Sequence, residues 1–218
     1  MNSRLLLAST LTLLTTAGVA QAAGPFVALE TSRQEQTFRP NYAFTNGSAA
    51  LTYVDKSSDF AFGLRAGQVW ALGDRFDVAG QLRFAHARND WALQTPEPAQ
   101  LSFRIPNTLA AGLVLGFSPT PAWRITAELA AGKGEVKELK RAPTASNYHF
   151  DEWVTHTAWA LGVGHTLTDT LALSLEYRST DYSSLTHTSS LPGSSAVVEN
   201  IRDAPSVRDL ALVLSYRF

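Results

Sequence analysis

From Leu210 to the last residue every second position is large and apolar: Leu210, Leu212, Leu214, Tyr216 and Phe218 alternate with Asp209, Ala211, Val213, Ser215 and Arg217. A period of two belongs to an extended strand with one apolar and one polar face. Strands of a soluble sandwich alternate too, but a chain that stops on an aromatic at the end of such a strand suits a lipid-facing aromatic girdle. The same alternation recurs at Leu171, Leu173, Leu175 and Tyr177, at Trp123, Ile125, Ala127 and Leu129, and at Phe76, Val78, Gly80, Leu82 and Phe84.

Three further segments, Phe60 to Ala71, Asn107 to Phe117 and His156 to Leu167, carry apolar residues on one face and mostly Gly and Ala on the other. Pro25 to Ser32 supplies a first strand, with Val27 and Leu29 outward and Glu30 inward. That makes eight, an even number as in single-chain bacterial barrels. The connections sort by length. Gly73-Asp74-Arg75, Ser118 to Pro121 and Thr168-Asp169 are short, whereas Arg33 to Asp59, Ala87 to Pro106, Lys133 to Thr155 and Asp181 to Ser206 are long and polar. Strict alternation of short and long is how a transmembrane barrel is wired, with short periplasmic turns and long outer loops. The expected fold is therefore an all-β, eight-stranded antiparallel up-and-down transmembrane barrel. Within the first long loop, Ala49 to Val54 alternates weakly and is expected to extend the wall as a hairpin.

At the other end, Arg4 precedes an apolar run from Leu5 to Val19 and a small-x-small site at Ala20-Gln21-Ala22, the pattern of a secretory signal peptide. Ser and Thr interrupt this run, which falls short of the ~20 residues of a helical span. The expected organisation is a signal peptide over residues 1–22 and one barrel domain over 23–218. The chain has no cysteine, which excludes disulfides, thiolate metal sites and a lipid-anchored cysteine. A net charge of −1 argues against a nucleic-acid partner.

With the apolar faces toward lipid, the other faces line a lumen and carry Glu30, Asp77, Glu128, Glu176 and Asp209 together with Arg65, Arg83, Arg124, Arg178 and Arg217. Eight strands enclose just enough space for side chains, so acids and arginines are expected to pair into a structural plug. Aromatics at strand ends, Trp70, Phe76, Phe117, Trp123, Tyr177, Tyr216 and Phe218, are expected to form a girdle on the side of the short turns.

The stretch Trp159-Ala160-Leu161-Gly162-Val163-Gly164-His165-Thr166-Leu167-Thr168-Asp169-Thr170-Leu171-Ala172-Leu173-Ser174-Leu175-Glu176-Tyr177-Arg178-Ser179-Thr180-Asp181-Tyr182 resembles the Gly-rich strand, short turn and Glu-Tyr-Arg strand of the small OmpA-like and opacity-protein-like outer-membrane barrels, often grouped as porin family proteins. The ending Leu214-Ser215-Tyr216-Arg217-Phe218 is similar to theirs. Ser179 and His165 depart from it, standing where the family often has aromatics. The resemblance implies location in the bacterial outer membrane and contact with its lipid and lipopolysaccharide. It also implies delivery to the barrel assembly machinery through Leu210, Leu212, Leu214, Tyr216 and Phe218, and a role in envelope integrity or surface interaction through four long loops. No peptidoglycan-binding domain is expected after Phe218.

Other chemistry is weakly signalled. His149, Asp151, Glu152 and His156 have the donors for a divalent metal but sit in a polar loop. His187 and Ser189, with Asp181 or Glu199, have the residue types of a lipid hydrolase, again in a loop. Gly132-Lys133-Gly134 lacks the spacing of a phosphate loop and reads as a strand-to-loop bend. Lys137, Lys140 and Arg141 form a basic run open to lipopolysaccharide or merely to solvent. The expectation is a non-enzymatic barrel without cofactor, catalytic site or metal, the alternatives being a narrow solute channel, a lipid A or phospholipid hydrolase, and a soluble lipocalin-type barrel.

Overall fold

The computed structural model describes residues 22–39, 41–44, 51–52, 55–88, 93–94, 100–141, 148–190 and 197–218. The expected signal peptide, residues 1–22, lies outside them except for Ala22, where the first strand begins. Eight long strands form the wall: β1 (Ala22–Phe38), β2 (Asp55–Ala71), β3 (Phe76–Ala87), β4 (Asn107–Thr120), β5 (Trp123–Arg141), β6 (Tyr148–Thr166), β7 (Leu171–Tyr182) and β8 (Ser206–Arg217). Each pairs antiparallel with the next, and β8 closes on β1 from Phe26↔Arg217 to Thr37↔Ser206. Closure leaves the wall without an edge, as a barrel in lipid requires.

The alternation predicts which face is which. Outward on every strand stand apolar residues that are open to the surroundings, among them Leu29, Leu64, Leu82, Leu113, Leu161 and Leu212, with Leu129 as much as 73% exposed. So continuous an apolar belt far exceeds the few hundred Å² that a monomeric soluble protein leaves in water, and the wall is that of a membrane-spanning barrel. A lipocalin-type arrangement, apolar inside and charged outside, is excluded by the same observation. The buried residues are the intervening ones, Ala28, Glu30, Arg65, Arg83, Glu128 and Arg178 among them.

Short turns close one end. Gly73 adopts φ +103, a left-handed conformation that costs glycine little, and Leu72 N–H bonds the Phe76 carbonyl at 2.7 Å. At the β6–β7 turn the Thr168 hydroxyl accepts from the Leu171 amide at 3.1 Å.

The opposite end departs from expectation. A membrane-spanning strand needs ~9–11 residues, yet β5 and β6 have 19 each. The segment read as a loop from Lys133 to Thr155 is thus largely strand: β5 continues to Arg141 and β6 starts at Tyr148. Gly132-Lys133-Gly134 is not a bend but part of β5, its glycines required because a Cβ at 134 would come within 2.6 Å of the Tyr182 ring. Further strands build a crown on this end. Asn41–Phe44 pairs with Leu51–Thr52 and with Val197–Asp203, which pairs in turn with Leu185–Ser190. Gln100–Arg104 lies along the top of β5 and pairs with Leu93–Gln94. Of the segment Ala49 to Val54, expected to extend the wall as a hairpin, Leu51–Thr52 is a short strand that pairs with Asn41–Phe44 in a separate four-stranded sheet and not with the wall; residues 49, 50, 53 and 54 lie outside the described residues.

The aromatic girdle needs one correction. Trp70, Phe76, Phe117, Trp123, Tyr216 and Phe218 do lie at the short-turn end, and Trp123 meets His165 edge-on at 4.7 Å, so that this histidine fills an aromatic place. Tyr177 does not join them. It lies six residues beyond the start of β7, where its ring packs on Trp159 at 5.6 Å, toward the crown.

Candidate functional site: the lumen and the outer rim

Strand register decides which charges meet. Glu30 on β1 points into the barrel where β2 offers Arg65 and β3 offers Arg83. Arg65 Nε donates to Glu30 Oε2 at 2.6 Å and Arg83 Nε to Glu30 Oε1 at 2.8 Å. Arg65 also reaches Glu176 at 2.7 Å, and Arg178 bonds Glu128 at 2.7 Å while lying 3.6 Å from Glu176. Three glutamates and three arginines thus form one connected, charge-balanced layer at the middle of the barrel. Arg124 and Asp77 form a separate bidentate pair nearer the short turns, with Nε donating to Oδ2 at 2.9 Å.

Two of the ten expected lumen charges stay outside this pairing. Asp209 is buried, opposite Arg178 in register, but among the described residues it makes no ion pair and leaves Oδ1 without a hydrogen-bond partner. Arg217 lines the lower lumen and has no ion pair among the described residues.

The weak glycine-rich faces explain themselves here. A Cβ at Gly63 would fall 2.5 Å from Glu30 Oε1, one at Gly112 would fall 2.9 Å from Glu128 Oε1, and one at Gly162 would meet the Glu176 side chain at 2.8 Å. Missing side chains on one strand are the space that long charged side chains of its neighbours occupy.

Sequence reasoning missed a second inward layer. Above the charged layer, Phe38, Phe103, Ile105, Val136, Val154, Leu185 and Val207 pack with Tyr182 into an apolar cap. Phe38 and Phe103 stack with centroids 4.7 Å apart. The available signal is Val136 between Glu135 and Lys137 and Val154 before Thr155, single apolar residues with outward polar neighbours inside segments that read as polar loop. Between layer and cap remains a space of about 10 Å³, bordered by Arg83, Thr180, Tyr182 and Asp209, barely the volume of one water. Below the layer a cavity of about 120 Å³, lined by Arg124, Ser174, Ser215 and Arg217, reaches the Thr168–Thr170 turn.

The suggested metal donors are dispersed. His156 faces inward, buried against Tyr182 at 5.1 Å, while His149, Asp151 and Glu152 are exposed. Among the described residues no group of three or more His, Cys, Asp or Glu could hold a metal ion. His187 and Ser189 lie two apart on the crown strand Leu185–Ser190, Ser189 opposite Glu199, and Asp181 is on the exposed face of β7.

Outside the wall, just above the apolar belt, a second polar arrangement spans four strands. His86 Nδ1 lies 2.9 Å from Asn107 Oδ1, and Asn107 Nδ2 donates to Glu135 Oε2 at 2.6 Å. Lys137 Nζ joins Glu135 at 2.7 Å and Asp151 at 3.0 Å. These two partners hold its ammonium above the usual lysine range, Glu135 first. Of the basic run, Lys137 is therefore occupied by neighbouring acids.

No protein-family model and no curated protein sequence matches the chain. Among solved structures, the outer membrane protein OprG of Pseudomonas aeruginosa superposes with a TM-score of 0.52 at 14% identity, over 90% of this chain and 98% of that one. The fold is that of a small outer-membrane β-barrel. Neisserial surface protein A matches at 14% identity and a TM-score of 0.44, over 90% of this chain and 99% of its own. At such identities the barrels share architecture, and the lumen and rim of this barrel have to be read from its own residues.

Proposed function

We propose that this chain is an integral protein of the bacterial outer membrane that works as a closed, non-conducting barrel and presents its crown to the cell exterior. The observation that carries the reading is the double seal. A charge-balanced layer of six side chains and an apolar cap stand one above the other, with about 10 Å³ between them.

Breaking a buried charge network by removing one partner costs roughly 3–5 kcal/mol, so the layer resists the opening that solute passage requires. The reading includes no catalytic residue and no cofactor. Its partners are the lipid and lipopolysaccharide around the belt, the barrel assembly machinery that meets Leu210, Leu212, Leu214, Tyr216 and Phe218 during insertion, and an extracellular ligand for the crown. A rigid wall carrying loops is the usual support for binding, which favours surface interaction or envelope integrity over transport.

Planar-bilayer recording of the refolded protein tests the proposal. A closed barrel gives no stable conductance steps, for the wild type and equally for Phe103→Ala, in which the charged layer remains. Regular steps of fixed size in the wild type would overturn it in favour of a narrow channel.

A further inference from the structure

The outer rim carries more organisation than a solvated face needs. His86, Asn107, Glu135, Lys137 and Asp151 are linked in one chain of hydrogen bonds and ion pairs across β3, β4, β5 and β6. Each member fixes the next, so the groups left over, the second His86 nitrogen, the remaining Lys137 protons and the free Asp151 oxygen, are held in place. Beside the chain stands Trp153, opposite Glu135 in register and 49% exposed on the same outward face.

Trp153 does not belong to the membrane belt. The outward residues between it and Trp159 are Thr155 and Thr157, both exposed, and six residues of strand are roughly 20 Å at ~3.3 Å each. The polar chain begins where the belt ends, since His86 follows Phe84 on its face of β3 and Asn107 precedes Leu109 on its face of β4. An exposed indole beside fixed donors and acceptors is the chemistry of a saccharide site: the ring takes the C–H face of a pyranose and the polar groups take its hydroxyls.

Position selects the occupant. The patch faces sideways, just above the lipid boundary, where the saccharide layer of the outer leaflet lies against the wall. Charge selects the part of it. Lys137, the one ammonium of this hydrogen-bonded chain, is shared between the Glu135 and Asp151 carboxylates, so the chain has more carboxylates than cations and suits uncharged hydroxyls rather than phosphates. We propose that Trp153 and the His86–Asp151 chain form a lateral site for neutral core sugars of lipopolysaccharide. The proposal rests on the outer-membrane reading above.

Saturation-transfer NMR on the refolded protein tests it, with lipid-free, dephosphorylated core oligosaccharide as the probe. The wild type transfers saturation to the sugar ring protons. Trp153→Ala reduces the apparent affinity by about fivefold, as loss of an aromatic contact of ~1 kcal/mol implies, and Trp153→Phe retains most of it. The signal changes little as salt rises. Equal signals from wild type and Trp153→Ala overturn the proposal. So does a signal that salt abolishes, which would assign binding to cations and residual phosphate, and so does equal transfer to dextran, which would remove the preference for core sugars. Each variant is first checked for a heat-modifiable band and for outer-membrane fractionation. If the wild type itself fails there, the membrane reading is what fails.

Discussion

Gly63 on β2 and Glu30 on β1 fit together as hole and occupant: a Cβ at position 63 would lie 2.5 Å from Glu30 Oε1 and 2.6 Å from its Cγ. The carboxylate cannot swing aside freely, because Arg65 and Arg83 clamp both its oxygens. Gly63→Ala is therefore expected to destabilise the barrel by about 1–3 kcal/mol, the range for overpacking. Gly80→Ala serves as the control, since a Cβ there meets nothing nearer than the Trp70 ring at 3.5 Å. Urea unfolding in detergent, read from the heat-modifiable gel band, checks the difference.

Removing Glu30 itself has a larger effect. Glu30→Ala leaves Arg65 and Arg83 buried with one carboxylate fewer between them, and the expected loss is roughly 3–5 kcal/mol. Asp77→Ala breaks only the partly buried Arg124 pair, which is more open than the central layer, so its unfolding midpoint moves less. A Glu30→Ala midpoint equal to that of the wild type would show that the layer contributes nothing to stability.

The crown responds to pH through Asp203. Its side chain is buried, with Oδ1 accepting from the amides of Arg39 at 2.8 Å and Ala204 at 2.7 Å, and burial raises its pKa above the ordinary carboxylate value while those amides oppose the rise. A raised folded-state pKa means that the protonated acid suits the folded crown better. The crown is thus most stable below the unfolded carboxylate range and loses that stability as pH rises through the folded pKa. Amide-exchange protection of crown residues, corrected for intrinsic rates, should fall across that window in the wild type and stay level in Asp203→Asn.

Phe103 is the cap residue whose loss is easiest to read. Phe103→Ala removes its stacking on Phe38 and opens a cavity, at about 3–5 kcal/mol for a buried phenylalanine. The cost falls on the crown, so a protease added to intact proteoliposomes should cut the variant faster while the membrane-embedded band persists.

How much of this was legible in the sequence varies with physics. The outward belt was plain, because lipid imposes one chemical rule on every second residue of all eight strands, and Leu210 to Phe218 states it without exception. Which charges face inward was plain for the same reason. Their pairing was not, since Asp209 and Arg217 look like Glu30 and Arg65 in one dimension and differ only in what the register sets opposite them. The Gly63, Gly112 and Gly162 faces read as weak strands because their meaning lies in a neighbour's side chain. The cap is hidden in the sequence because Phe38, Val136 and Val154 share the inner face with the buried polar residues Gln36, Glu138 and His156, so neither face above the membrane reads as an apolar row.

The narrow space between layer and cap, about 10 Å³, carries the closed-barrel proposal. The chain has no cysteine, so Thr180→Cys introduces a single thiol at a buried position bordering that space. Its reaction with a small water-soluble maleimide can be timed in whole cells and in opened membranes, against an exposed control such as Ser183→Cys. The double seal predicts that Thr180→Cys stays unreacted from both sides while the control labels promptly; labelling of Thr180→Cys at the rate of the control would contradict it.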